Sequence, residues 1–273
     1  TTDEETVGTL NVAAGGTLDV GNQVFMTNGA VDSTFAGTLL GGNTGVFSQV
    51  GTAVLTFSGD GSGFTGTMGA SAGEVVLASG ATLDASAVGA ITGATLTLEG
   101  GVLTNADVGL ISDGTINING SETIAYLTNN AFDGPGTGTI NVNGVGTVLT
   151  LAGGTQDSAH SGDITGDADS ALATTGGTHT LSGTVTMATI DVGGGSTLVL
   201  GGTNSIGAIT VDGTLRLESD GAAGGAAGQI TTTGSVIDYA DGVNSATPIE
   251  IASNTTQVQV TTGSAEQSGV ISE

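Results

Sequence analysis

The stretch Gly138-Thr139-Ile140-Asn141-Val142-Asn143-Gly144, GTINVNG, decides how this chain is to be read. On an extended backbone successive side chains point to opposite faces, so Ile140 and Val142 go one way while Thr139, Asn141 and Asn143 go the other. The flanking glycines mark turns, where positive φ is permitted. The same phrase returns as GTLNV at Gly8, GGTLDVGN at Gly15, GATLDAS at Gly80, GATLTLEGG at Gly93 and GTINING at Gly114. Later come GTVLTLAGG at Gly146, GSTLVLGG at Gly195 and DGTLRLES at Asp212. One such strand cannot bury its apolar face alone. A stack of them can, which is the logic of a solenoid.

The spacing is uneven. Gly114 to Gly138 is 24 residues, Thr95 to Thr115 is 20, and Thr197 to Thr214 is 17. A hexapeptide-type β-helix keeps a stricter count, so the expected fold is all-β, a right-handed parallel β-helix of irregular coils. Turns of about 20 residues predict about 14 coils and a single elongated rod roughly 65 Å long, at ~4.8 Å per coil. No linker or second domain is visible, so residues 1–273 are expected to form one β-solenoid domain. A β-sandwich or barrel, which also uses short, regularly spaced strands, is the competing architecture.

Composition narrows the field. The chain has 273 residues with 51 Gly, 2 Pro, no Cys and 3% aromatics. That much glycine opposes helices, even a short piece near Ala222 to Ala227, and without a period of three it is not collagen. The 37% hydrophobic content and a mean hydropathy of +0.28 suffice for a folded core. Small aliphatic residues suit the interior of a narrow β-helix, where bulky aromatics are expected to fit poorly. Thr and Asn suit a hydrated outer face.

The formal charge is −25, with Arg216 as the one Lys or Arg. Such a chain cannot neutralise a run of phosphates, so nucleic acid is excluded as a partner. Anionic lipid surfaces are excluded by the same electrostatics. No apolar run is long enough to span a bilayer. TTDEETVGTL at the start lacks the positive segment and apolar run of a secretory signal, which implies that a leader was removed or that the chain is an excised piece. Absence of Cys fits an extracellular setting.

Several local patterns suggest chemistry and have a plainer reading. GASAG at Gly69 to Gly73 matches a nucleophile elbow around Ser71, but no helix or base follows. His160 lies in TQDSAHSGDITGDADS with Asp157, Asp163, Asp167 and Asp169. These are the ligand types of a divalent cation, calcium being the expected one, and the plainer reading is a solvated loop leaving the rod. His179 in THTLSGTV reads as a polar outer-face residue. Arg216 shares a face with Asp212, Thr214 and Glu218, which gives a surface ion pair; in a polysaccharide-cleaving β-helix it would instead contact substrate. GDGSG at Gly59 to Gly63 is a single imperfect fragment of a calcium-binding nonapeptide. Thr-x-Thr pairs at Thr95/Thr97, Thr178/Thr180, Thr184/Thr186 and Thr231/Thr233 would suit an ice-binding face only if equal coil lengths aligned them. The uneven spacing leaves them as ordinary exposed strand positions. Asp3, Glu4 and Glu5 would act as a charged cap at one end, while the closing GVISE would form a strand with an adhesive edge.

VIDYADGVNSATPIEIASNTTQVQVTTGSAEQSGVISE, from Val236 to Glu273, resembles the segment of autotransporter passengers that precedes their β-strand repeats. LTFSGDGSGFTGTMGASAGEVVLASGATLD, from Leu55 to Asp84, resembles the repeat itself. The likeness is close over the final seventh and stylistic elsewhere, and the family's translocating barrel is not in this sequence. It implies a β-helix on the outer-membrane surface of a Gram-negative bacterium or in the surrounding medium. No catalytic motif of the family is present to carry over. The expected role is non-enzymatic: adhesion, aggregation or spacing, through self-association or contact with surface glycans and with host or neighbouring cells. The alternatives are a subunit of an end-to-end extracellular filament and, as an enzyme, a polysaccharide-processing β-helix.

Overall fold

The computed structural model describes residues 4–91, 93–128, 136–154 and 156–273. Within them the chain forms 34 short strands, and the one helical piece is a single 3-10 turn, Gly225–Ala227. Every strand pairing is parallel, each strand meeting its counterpart one coil later. Hairpin-built sandwiches and barrels pair antiparallel, so the solenoid is the architecture found.

One parallel ladder of twelve strands runs from Ser33–Phe35 to Ile271–Ser272, giving about 12 turns instead of 14. At ~4.8 Å per coil the stack is roughly 55 Å long. The count falls because this ladder starts only at Ser33 and most of its coils exceed 20 residues, Ile116 to Ile140 and Ile140 to Ile164 each spanning 24, and coil length varies further along the sides. Thr197 pairs with Thr214, an offset of 17 residues, while Glu122 pairs with Leu149, an offset of 27. A seven-stranded lateral sheet runs from Glu4–Val7 to Tyr126–Thr128, and a six-stranded one from Ser158–His160 to Gln257–Val260. A four-stranded sheet closes the early coils. Glu4 and Glu5 belong to the first paired strand and so are not a cap laid over it; Asp3 lies outside the described residues. Ile271–Ser272 is a strand, as expected, paired with Ile249 and Glu250.

The alternation in GTINVNG holds. Ile140 and Val142 are fully buried, and Thr139 and Asn141 are partly exposed. Residues of one column stack directly: Leu55, Val75, Leu96, Ile116, Ile140, Ile164 and Val185 form an unbroken aliphatic ladder along the axis. Each such side chain contributes about 1.5–3 kcal/mol by leaving water.

Bulky aromatics do fit inside, contrary to the sequence-based expectation. Phe35, Phe47, Phe57 and Phe64 are all fully buried in the early coils. Phe35 stacks on Phe57 with centroids 5.4 Å apart, and Phe47 lies 5.8 Å from Phe25 and 5.9 Å from Phe35. Room for the rings comes from glycine. A Cβ on Gly41 would stand 2.8 Å from the Phe64 ring, and one on Gly61 would stand 3.3 Å from Phe57.

Glycine also serves at the corners, for two different reasons. Gly93 and Gly195 take φ of 85° and 83°, which other residues adopt at a cost. Gly114, Gly138, Gly162 and Gly183 instead stack in successive coils. A Cβ on Gly138 would lie 1.9 Å from the Gly114 carbonyl oxygen, and one on Gly162 would lie 1.8 Å from that of Gly138. The Gly114 oxygen already accepts from Thr139 N–H at 3.0 Å, so it cannot move aside without breaking the ladder.

Candidate functional site

Three polar constellations stand out against the aliphatic column, and each couples one coil to another. The first is outward-facing. Thr95, Thr115 and Thr139 are in register, as are Thr97, Asn117, Asn141, Thr165 and Thr186. Uneven coil lengths therefore do not prevent alignment, because the extra residues leave at the corners. Asn141 Nδ2 donates to Asn117 Oδ1 at 2.9 Å, Asn143 Nδ2 to Asn119 Oδ1 at 3.2 Å, and Asn119 Nδ2 to Glu99 Oε1 at 2.9 Å. Thr97 Oγ1 donates to Glu74 Oε1 at 2.6 Å, and Thr97 is 5% exposed, so it is not an open strand position. The result is a patterned face of amides and hydroxyls.

The second constellation surrounds Arg216. Its Nη1 donates to Asp238, the residue in register with it on the next coil, and its Nε to Glu218 at 3.3 Å. The expected ion pair is present with Glu218, but Asp212 instead accepts from Thr233 Oγ1 at 3.2 Å. Asp238 is 5% exposed and also accepts from Thr261 N–H at 3.1 Å and Thr261 Oγ1 at 2.8 Å. Burial pushes its carboxyl up, yet the Thr261 and Arg216 donors hold it below its ordinary value. The arrangement is a clamp across three coils. Arg216→Ala leaves a buried carboxylate without its cation and is expected to cost about 1–3 kcal/mol, read from the urea midpoint. An unchanged midpoint would show that the pair is as weak as an exposed one.

The third lies inside. His160 is 1% exposed in the strand Ser158–His160, and His179 is fully buried in Gly177–Leu181. Both readings from sequence are corrected: His160 is not on a solvated loop and His179 is not on the outer face. The two extra inward positions arise because these strands continue the alternating apolar columns, where Leu181 and Leu198 are their neighbours one coil on. His160 Nδ1 lies 3.1 Å from Ser112 Oγ, and His179 Nδ1 lies 2.7 Å from Ser158 Oγ. A serine against a histidine is the front half of a nucleophilic apparatus. Here Ser112 is fully buried, so no substrate reaches it.

The acidic candidates are dispersed. Asp157 accepts from Thr178 N–H at 3.3 Å, Asp163 from Thr184 N–H at 3.4 Å, and Asp167 from Gly144 N–H at 2.7 Å, each in an adjacent coil. Asp169 is exposed. Among the described residues no three His, Asp or Glu side chains come together as a metal site. The same axial stapling recurs at Asp32 to Val54 N–H, 3.0 Å, and Asp241 to Ser264 N–H, 2.9 Å. Asp60 of GDGSG accepts from Ser62 N–H and Thr82 Oγ1, both at 2.9 Å, and these donors lower its carboxyl. Ser71 of GASAG is followed by the strand Glu74–Leu77 and has Ser48 Oγ 3.2 Å away. Glu122, 3% exposed, has no sequence signal that sets it apart from the surface carboxylates. Its carboxylate accepts from Val102 N–H at 2.8 Å inside a coil, and burial raises it.

Compared with protein-family models, curated proteins and solved structures, the chain matches none.

Proposed function

We propose that this β-solenoid is a non-enzymatic spacer and adhesive element of a bacterial cell surface, in the manner of an autotransporter passenger of a Gram-negative bacterium. The observation that carries this reading is the continuous parallel ladder with its patterned face of Thr and Asn. A rod of paired strands provides reach and few cleavable loops. The amide and hydroxyl rows provide many weak hydrogen-bonding positions for neutral glycans or for other copies of the rod, which act together through multivalency. At −25 the rods repel at low salt, so contact through these amide and hydroxyl rows, or bridging by divalent cations such as calcium, is the route to aggregation.

The test is adhesion of beads carrying the full chain to glycan-coated surfaces and to one another, with the Asn117→Asp, Asn141→Asp variant alongside. Binding above that of bare beads, reduced several-fold in the variant, supports the proposal. Equal binding by coated and bare beads overturns it, as does turnover of a polysaccharide that disappears in Arg216→Ala. End-to-end assembly is the second reading, because the edge of a parallel β-strand is a template for a strand of another copy. Long uniform fibres by electron microscopy, with or without calcium, would select it; dispersed short rods would exclude it.

A further inference from the structure

The two histidines of the chain sit where one lateral sheet hands over to the other. The seven-stranded sheet ends at Tyr126–Thr128, a pairing of only three residues, and the six-stranded sheet begins at Ser158–His160. Among the described residues the isolated bridge Gly136 to His160 joins the coils there, together with Leu127 N–H donating to Ser158 Oγ at 3.0 Å, Gln156 Nε2 donating to Tyr126 OH at 3.5 Å and Gly153 N–H donating to the Ala125 carbonyl at 3.1 Å. Gly136 makes the join possible. A Cβ on it would stand 2.0 Å from Ser112 Oγ and 3.0 Å from His160 Nδ1, so its missing side chain lets the His160 ring reach Ser112 two coils away.

Hydrogen bonding fixes the charge state that fits. His179 Nε2–H donates to the Gly176 carbonyl at 2.6 Å, while its Nδ1 accepts from the Ser158 hydroxyl, whose oxygen in turn accepts from Leu127 N–H. Every position of this string is used when the ring is neutral. A second ring proton would point at the Ser158 oxygen and displace the hydroxyl proton from the acceptor it now uses. On His160, Nδ1 is used by Ser112 and Nε2 is buried with no hydrogen-bond partner among the described residues. The Asp163 backbone favours a charged ring, but with His160 1% exposed an added proton there would be a charge taken out of water, which is costly.

We propose that this handover is an acid-sensitive joint: protonation of His160 and His179 opens the solenoid locally between residues 109–128 and 158–181 while the coils on either side stay paired. The charged groups facing the pair are Asp163 and Asp113 for His160 and Asp157 for His179. They favour the charged rings, but Asp157 and Asp163 are outward and engaged with backbone N–H groups. Burial outweighs them, lowering His179 and bringing His160 from 6.5 down to about 4. A base held low in the closed state takes up its proton on opening. The closed state is therefore fully favoured above about pH 6.5 and loses ground as pH falls from there towards 4. His160 adds up to about tenfold in the opening equilibrium per pH unit within that window, and His179, lowered by the same cause, acts in the same direction.

Hydrogen exchange on the full chain, followed by mass spectrometry from pH 7.5 to 4.5 and corrected for intrinsic rates, reads this directly. Segments within 109–128 and 158–181 are expected to lose protection by about 30-fold or more between pH 6.5 and 4.5, while Val54–Phe57 and Val236–Tyr239 change by less than about threefold. His160→Leu and His179→Leu, which insert the residue type of the adjoining rungs, are each expected to flatten the response. Loss spread evenly along the rod, or no loss at the handover, overturns the proposal without any variant. An undiminished acid response in the folded double variant does so as well.

Discussion

Gly162→Ala is expected to lower stability by about 3 kcal/mol, more than any corner glycine replaced for its backbone angle. Its Cβ would stand 1.8 Å from the Gly138 carbonyl oxygen, a distance that neither rotamer choice nor a small side-chain shift relieves. Either the two coils separate or the ladder hydrogen bonds at that corner break. Because each coil rests only on its neighbours, the damage spreads to the interfaces on both sides. Gly195→Ala supplies the comparison. It has open space around the new methyl and pays only for φ of 83°, about 1–2 kcal/mol. Urea unfolding of both variants should rank Gly162→Ala as clearly the more damaging, and the reverse order would show that close stacking of coils is not what selects glycine at residue 162.

Phe47→Ala is expected to cost about 3–5 kcal/mol, the range for deleting a fully buried ring. Phe47 is enclosed between Phe25 and Phe35, so the space left behind is lined by rigid rings and glycine-bearing rungs that collapse poorly. Phe47→Leu retains most of the volume and should lose less than half as much. Both are read from the urea midpoint monitored by strand circular dichroism. A loss below about 1 kcal/mol for Phe47→Ala would mean that the early coils are loosely filled.

The strand pattern was legible because alternation is local: Ile140 and Val142 declare their face within five residues. What joins one coil to the next was not, because it depends on offsets that the corners conceal. Alternation along the strand points from Arg216 to Glu218 two residues away, whereas its closer partner Asp238 is 22 residues on and the supporting Thr261 a further 23. Unequal spacing argues against aligned Thr-x-Thr pairs, yet register is set where strands pair, and Thr95 still meets Thr115 and Thr139. His160 and His179 looked hydrophilic by residue type. Their inward placement follows from alternation with Leu181, a signal present in HTL but outweighed by the acidic residues around His160. Phe was judged too large for the interior, since the compensating absence of side chains at Gly41 and Gly61 belongs to neighbouring rungs.

Offsets of 17 and 27 residues within one aligned stack have an evolutionary corollary. A copying error that adds or deletes a few codons at a bend changes the size of an outward bulge and leaves the rungs above and below in step. Such a gene can drift in length almost freely at its bends, while substitutions at the inward columns and the tight glycine corners are purged. Divergence of this kind erases fixed sequence periods long before it disturbs the shape.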